Sequence, residues 1–514
     1  MRNSSKRVLK NTFFLYFRMI FVMLITLYVS RIVLDKLGIV DYGINNIVGG
    51  LVTMFAFINN ALSGATQRSL NYELGKSNII GARKVFNQHL ILYLTILAIV
   101  VLISETVGLW FVKNKLNIPE DRMYAALWVY QFTILSLCVT LVGIIYNSAV
   151  IAHEDMQVYS YIGIIDGVSR LGVAYMISTV SYDRLIVYSG LLFIVTLLIQ
   201  VFYYLYCIRH YSECRIHMQW NRSSFKETGK FIGLNCIDAG IYSFNSQGIN
   251  VLLNIFFGPM VNAARGISVQ VNSALTNFSN NFYSSVRPQL FKSYSNGDLN
   301  YMKKLFFISS KYTAYLYLMV ALPVVLNINP ILKLWLVKVP EHTSVFTLWV
   351  LVYSFVNVLI NPIRSIILAT GDLNEYVKWG GSFSLLQLPL IYVALYFGME
   401  SEFAFIISVF IRTLYLCLII KISMKFKIYT IIEYMKEVIR PVFMVTLISC
   451  IISTLICHKA NSLFHHDIYE IIGKTAVTLT ITIVSIWLSG MTLTEKSKMH
   501  DIVKKVLAKG IAHE

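Results

Sequence analysis

The sequence predicts an all-α integral membrane protein, and three observations carry that prediction. Of the 514 residues, 56% are hydrophobic, and mean hydropathy is +0.64. Only 14% are charged, against about 25% in soluble domains. The apolar residues fall in runs of about 20, the length that crosses a hydrocarbon layer about 30 Å thick. A chain so poor in charge cannot cover a water-facing surface, so most of its exterior meets lipid. The 9 prolines and 27 glycines are scattered, which excludes a collagenous or low-complexity chain, and 14% aromatic residues exclude ordinary disorder.

Fourteen runs have the required length: 11–33, 44–67, 88–111, 125–148, 159–180, 185–208, 231–257, 262–287, 305–328, 345–368, 379–398, 403–423, 441–457 and 469–490. Lys6 and Arg7 precede the first run as they would in a signal peptide. That run passes 20 residues without a small-residue cleavage site and reads as a retained span. The second and eighth runs are the least hydrophobic, and a plain hydropathy window is prone to miss either. Charge supplies the orientation. With an even number of spans, 29 of the 44 Lys and Arg residues collect on the side of the two termini, so both termini are expected in the cytoplasm. The formal net charge of +18 is then topological, and no nucleic acid is needed to explain it. The expected organisation is a six-helix lobe over 1–208, a basic cytoplasmic linker over 209–230, a second six-helix lobe over 231–423, two further helices over 424–490, and a cytoplasmic tail over 491–514.

Loop length excludes a fused catalytic domain, because the longest connections, 68–87 and 209–230, hold only about 20 residues. Gly473, Lys474 and Thr475 imitate the end of a phosphate-binding loop, but Ile468 stands where its first glycine is required. The 7 cysteines form no CxxC pair and lie mostly in apolar runs, so neither a disulfide framework nor a zinc site is indicated. His465, His466 and Asp467 read as exposed loop residues, and His153, Glu154 and Asp155 lack the second histidine of a helical zinc site. No cofactor is expected.

The two halves look related. An offset of 220 brings Gly38 onto Gly258, Asn60 onto Asn280 and Leu70 onto Leu290, and both halves run as apolar helix, short outer turn, polar helix and basic inner loop. Parallel halves of this kind build transporters. On the eighth span Asn262, Arg265, Gln270, Ser273, Asn277, Asn280, Ser284 and Arg287 share one face of about 140°. Asn45, Thr53, Asn59, Asn60, Ser63 and Gln67 repeat the pattern on the second span, and Asn235, Asp238, Tyr242, Asn245, Ser246, Asn250 and Asn254 do so more loosely on the seventh. Such faces cannot contact lipid. They line a hydrated cavity, or they join helices through hydrogen bonds of about 0.6–2 kcal/mol.

Charges within spans follow the same logic. Arg18 lies a third of the way along the first span, and the offset sets Asp238 opposite it, so Arg18 either faces a shared cavity or pairs with Asp238. A cavity guanidinium suits a phosphate through its planar fork of donors. Arg265 and Arg287 add charge from the eighth helix, although Arg287 also suits an inner anchor. Asp166 and Arg170, one turn apart, read as a local pair. Arg412 has no evident local partner.

The opening KRVLKNTFFLYFRMIFVMLITLYVSRIVLDKLG, followed by DYGINNIVGGLV and ATQRSLNYELGK, resembles the polysaccharide-exporter branch of the multidrug/oligosaccharidyl-lipid/polysaccharide exporter superfamily. It is especially similar to bacterial O-antigen and capsule flippases. The likeness is sharp over 1–80, continues through GPMVNAARGISVQVNSALTNF and is only hydropathic after about 380. It implies two six-helix pseudo-repeat lobes around a central cavity, two C-terminal helices and alternating access across the bacterial inner membrane. The implied cargo is an oligosaccharide on an undecaprenyl pyrophosphate carrier. Cavity arginines would hold the pyrophosphate, a role that suits Arg18 and Arg265, with Arg287 in support. Asn59, Asn60, Asn235, Asp238, Asn245, Gln270, Asn277 and Asn280 are the matching candidates for the sugar. Implied partners are the lipid-linked oligosaccharide, membrane lipids and a polysaccharide polymerase or glycosyltransferases. The rival is a cation-coupled multidrug exporter of the same superfamily, for which Asp166 and Asp238 are the candidate carboxylates. A membrane glycosyltransferase or polymerase would need paired outward carboxylates, and Asp41, Glu120, Asp121 and Glu341 are dispersed.

Overall fold

The computed structural model describes the backbone of residues 2–215, 222–371, 375–460, 467–497 and 500. Side chains are described for these residues except 2–16, 60–61, 222–239, 377, 459–460 and 467–468. Helical backbone occupies every predicted span, and no strand occurs among the described residues. The helices are α1 (Arg2–Leu37), α2 (Ile39–Gly75), α3 (Ile79–Asn114), α4 (Glu120–Ala152), α5 (Met156–Met176), α6 (Arg184–His210) and α7 (Arg222–Phe257). They continue as α8 (Pro259–Ser295), α9 (Leu299–Leu326), α10 (Thr343–Thr370), α11 (Gln387–Tyr396), α12 (Phe403–Phe426), α13 (Ile431–His458) and α14 (Tyr469–Gly490). Among the described residues ten helices are long and apolar enough to cross a membrane, and α8 is not one of them, as its polar face predicts.

The offset of 220 holds to the residue in the helix boundaries. Helices α1 and α7 end at Leu37 and Phe257; α2 and α8 run from Ile39 to Gly75 and from Pro259 to Ser295; α3 and α9 begin at Ile79 and Leu299. The breaks match in detail. Gly38 and Gly258 have φ of 82° and 81°, a region costly for any residue with a Cβ, which explains a glycine at both points. Asn78 and Asp298 both cap the following helix, accepting from Gly81 N at 2.9 Å and Tyr301 N at 3.0 Å. Leu70 and Leu290 are both fully buried.

Contacts sort the chain into two compact units. Unit 1 comprises Met1–Ile267, Leu336–Thr343 and Ser384–Ala404, and unit 2 comprises Ser268–Trp335, Ser344–Phe383 and Phe405–Glu514. In unit 1, α4 packs on α6 and α1 on α5, with ring contacts Phe86–Tyr146 at 5.5 Å and Tyr146–Tyr204 at 5.3 Å. Buried hydroxyls find partners inside the protein: Tyr93 donates to Leu62 O at 2.7 Å, and Ser63 and Ser148 meet at 3.0 Å. In unit 2, Phe306 lies tilted against Tyr429 at 4.9 Å and stacks on Tyr434 at 5.5 Å, Tyr317 donates to Leu351 O at 2.9 Å and Tyr315 to Gly490 O at 2.9 Å. Lys311, buried in α9, pairs with Glu495 beyond α14 at 2.7 Å.

At the end of unit 1 assigned by charge to the outside, Arg122 joins three helices. It donates to Asp41 of α2 at 2.6 and 2.8 Å and to Asp183, the N-cap of α6, at 2.7 Å. Elsewhere in unit 1, Glu402 pairs with His342 at 2.6 Å. Burial raises the Asp183 carboxyl, but Arg122 and the backbone N–H groups of Ile186 and Leu185 outweigh it and hold Asp183 below the ordinary range. Glu402 is also held low: burial opposes this, while backbone and His342 hydrogen bonds prevail. Carboxylates depressed by folding stabilise the native state above their unfolded values, and that contribution is lost as pH falls through the folded values. The detergent-solubilised protein is therefore expected to lose melting temperature on acidification from about pH 6 to about pH 3. Arg122→Leu should cost about 1–3 kcal/mol at neutral pH and flatten the Asp183 part of that dependence, as read by thermal unfolding.

Candidate functional site

Four of the nominated residues have described side chains in unit 1. Arg18 of α1 lies with its guanidinium carbon 4.2 Å from the centre of the Tyr159 ring on α5. Gly163 makes room for it, since a Cβ there would stand 2.8 Å from Arg18 Cδ and 3.0 Å from Nη1. The cation–π contact uses the face of the guanidinium, whereas its N–H donors lie in the plane. Among the described residues no carboxylate is within ion-pair distance of Arg18. The alternative pairing with Asp238 lies outside the described side chains.

Arg265 sits near the start of α8, is 7% exposed, and donates through Nη2 to Ser246 O at 2.5 Å, with Ser246 Oγ at 3.4 Å. Its buried Nε makes no hydrogen bond, and among the described residues it too has no carboxylate partner. Asn59 of α2 and Asn245 of α7 each bury an Oδ1 without a hydrogen bond. Helices α2 and α7 meet closely here: Ser243 donates to Met54 O at 2.9 Å, and a Cβ on Gly240 would stand 3.3 Å from the Phe57 ring. Asn60, Asn235 and Asp238 fall on described helices, but their side chains lie outside the described set.

The remaining candidates belong to unit 2. Asn277 and Gln270 are half-buried, Asn280 is exposed, and Arg287 is exposed with its guanidinium carbon 5.4 Å from the Phe291 ring. The polar stripe of α8 therefore changes character along its length. Its start is buried, and beyond Gln270 several members are accessible.

The buried start is a chain of amides. Asn262 donates to Asn250 O at 2.7 Å and Oδ1 at 2.9 Å; Asn254 donates to Asn262 Oδ1 at 2.9 Å; Asn254 Oδ1 accepts from Asn117 N at 2.8 Å; Asn250 donates to Asn46 O at 3.2 Å. Asn250, Asn254 and Asn262, read from sequence as part of the polar faces, thus serve the joining of α7, α8, α2 and the turn after α3. Gly43 and Gly266 permit the approach, since Cβ atoms there would fall 1.8 Å from Pro259 O and 2.6 Å from Asn46 Oδ1.

Other in-span charges are satisfied locally. Arg170 donates to both carboxylate oxygens of Asp166 at 3.0 Å, as their spacing predicts. Arg412 donates from Nε to Asn357 Oδ1 at 3.0 Å and lies 4.8 Å from the Tyr415 ring, a partner on α10 that local sequence does not reveal. His153 pairs with Glu213, and Asp155 accepts from Tyr206 at 2.6 Å, so these residues fasten the segment after α6. The His465–Asp467 group lies outside the described side chains. Sequence reading also missed the Arg122 junction, because its acids lie 81 and 61 residues away and no spacing rule links them.

By sequence, the chain matches no family model and no curated protein. By structure it is similar to the lipid II flippase MurJ in an inward closed conformation, at 12% identity and a TM-score of 0.69, over 91% of this chain and 97% of that one. It is similar to an inward-facing multidrug resistance MATE family transporter of the MOP superfamily, at 10% identity and TM-score 0.63, over 80% and 94% of the two chains. A MOP superfamily transporter from Pyrococcus furiosus gives 12% identity and TM-score 0.59, over 82% and 95%. The fold is that of these transporters. Those neighbours are a flippase and transporters, and the chain is a multi-pass membrane protein of that architecture.

The amide chain makes a direct prediction. Asn262→Leu should remove hydrogen bonds to Asn250 and Asn254 and strand their polar atoms, costing about 2–4 kcal/mol in thermal unfolding. Asn280→Leu, on an exposed stretch, should cost less than about 0.5 kcal/mol.

Proposed function

We propose that the protein is a flippase for lipid-linked oligosaccharide, carried on undecaprenyl pyrophosphate, across the bacterial inner membrane by alternating access, in the service of O-antigen, capsule or exopolysaccharide synthesis. One observation carries the reading. Arg18 and Arg265 are guanidiniums in membrane helices of one unit, and among the described residues neither is neutralised by a carboxylate. A cation there is expensive unless an anion or water visits it, and a pyrophosphate esterified at both ends is a dianion with several acceptors matched to the guanidinium fork. The fold shared with a lipid II flippase supports the same direction.

In this reading Arg287, exposed towards the end of α8, makes first contact with the headgroup. Asn59, Asn60, Asn235, Asp238, Asn245, Gln270, Asn277 and Asn280 meet sugar hydroxyls, so that groups leaving water gain hydrogen bonds. Lobes at 1–208 and 231–423, the linker 209–230, the added helices 424–490 and the tail 491–514 are part of the same proposal. A polymerase or glycosyltransferases would act on either side of the flipping step. The rival, a cation-coupled multidrug exporter, draws on the likeness to a MATE transporter. It needs an available membrane carboxylate; of its two candidates, Asp166 is already engaged by Arg170, and the Asp238 side chain lies outside the described set.

Arg18→Ala and Arg265→Ala are each expected to reduce surface glycan at least about tenfold at unchanged protein level, with lysine replacements restoring only part, because a point charge lacks the planar fork. Surface glycan that persists in both alanine variants would overturn the proposal, and altered drug tolerance instead would favour the exporter.

A further inference from the structure

Helix α5 meets α1 at two glycines one turn apart, and the two differ in what they admit. A Cβ on Gly167 would stand 3.6 Å from Val22 and 3.7 Å from Ile25, which is ordinary contact, so the packing of the two helices does not call for a glycine there. A Cβ on Gly163 would stand 2.8, 3.0 and 3.5 Å from Cδ, Nη1 and Cγ of Arg18, and these are its three nearest neighbours. The missing side chain at Gly163 therefore makes room for the Arg18 side chain. Tyr159 lies one turn before Gly163 on the same face of α5, and its ring centre is 4.2 Å from the guanidinium carbon.

The stack fixes orientation as well as position. An arginine side chain has several rotatable bonds, and a guanidinium without a platform spreads over many arrangements that a ligand must then freeze out. With one face on a ring the plane is set, and the N–H donors project along its edge. Arg18 is half-buried, and among the described residues no group accepts a hydrogen bond from it. Arg412 supplies the contrast. Its guanidinium lies 4.8 Å from the Tyr415 ring, but its Nε donates to Asn357, so both the face and the edge are used within the protein. At Arg18 only the face is used. Tyr159 stands in the first turn of α5, at the end that charge assigns to the cytoplasm, the side from which a flippase loads its cargo.

We propose that Tyr159 is a positioning residue for anion binding: its ring holds the Arg18 guanidinium by the face, with the donor edge left for the pyrophosphate, and Gly163 keeps the place open. The proposal rests on the flippase reading given above. The Tyr159 hydroxyl is not needed for this role, since the cation meets the ring face, and what counts is the electron density of that face. A ring that only packed α5 against α1 would depend on size and shape instead.

A fluorine series separates the two roles. Phenylalanine and its mono-, di- and trifluorinated forms in place of Tyr159 keep nearly the same shape, while each fluorine draws electron density from the ring face. The full-length protein in nanodiscs is titrated with a fluorescent farnesyl pyrophosphoryl N-acetylglucosamine, a pyrophosphate esterified at both ends. Tyr159→Phe should bind within about twofold of the unsubstituted protein, and Kd should then rise stepwise to about tenfold across the series at unchanged melting temperature. Gly163→Ala should raise Kd at least about fivefold, and Gly167→Ala less than about twofold. A Kd that stays flat across the series, or a Gly163→Ala protein that binds like Gly167→Ala, while Arg18→Ala weakens binding, would overturn this proposal alone. An Arg18→Ala protein that binds as tightly as the unsubstituted one would overturn it together with the use of Arg18 in the flippase reading.

Discussion

A hydrocarbon surround that offers no hydrogen bonds is the constraint on which the rest of this structure depends. Each polar group within the spans must find its partner in the protein or keep access to water. Most of them find partners. Tyrosine hydroxyls reach carbonyls on other elements, as Tyr93 does with Leu62 O and Tyr317 with Leu351 O, at 2.7 and 2.9 Å. The asparagines between α7, α8 and α2 close one continuous chain, with glycines at the points where backbones approach most closely. Against that background the few groups left over are informative, because the same surroundings make each of them costly.

The arginines separate along this line. Arg170 is balanced by a carboxylate one turn away, and Arg412 is held by an amide oxygen and a tyrosine ring. Arg18 has a ring and a glycine-sized gap, and Arg265 has one backbone oxygen and an unused buried Nε. A guanidinium retained in a membrane helix with donors to spare suits a visiting anion better than a permanent structural bond.

Much of this fold was legible because its signals are long-range averages or exact repeats. Hydropathy located helical segments throughout the chain, and the offset of 220 paired Gly38 with Gly258, the two glycines at which helices break. The low hydropathy of the eighth span, a consequence of its amides, was likewise visible in advance. What escaped were contacts between distant residues. Nothing in the neighbourhood of Arg122 points to Asp41 and Asp183, and nothing near Arg412 points to Asn357, because helix packing brings these groups together across 55 to 81 residues. The polar face of α8 was readable as a face, but its division into a buried start and an accessible continuation depends on neighbours that periodicity does not specify.

The central claim is that water reaches the amide-bearing faces of α2 and α8 within the membrane. Cysteines substituted singly for Asn59 and Asn277, in a background lacking the native cysteines, can be challenged in intact membranes with a membrane-impermeant maleimide, with Leu62→Cys as the buried control. The account predicts modification at both positions in at least one transport state while the control stays unreacted. Complete protection of both positions in every state would contradict it.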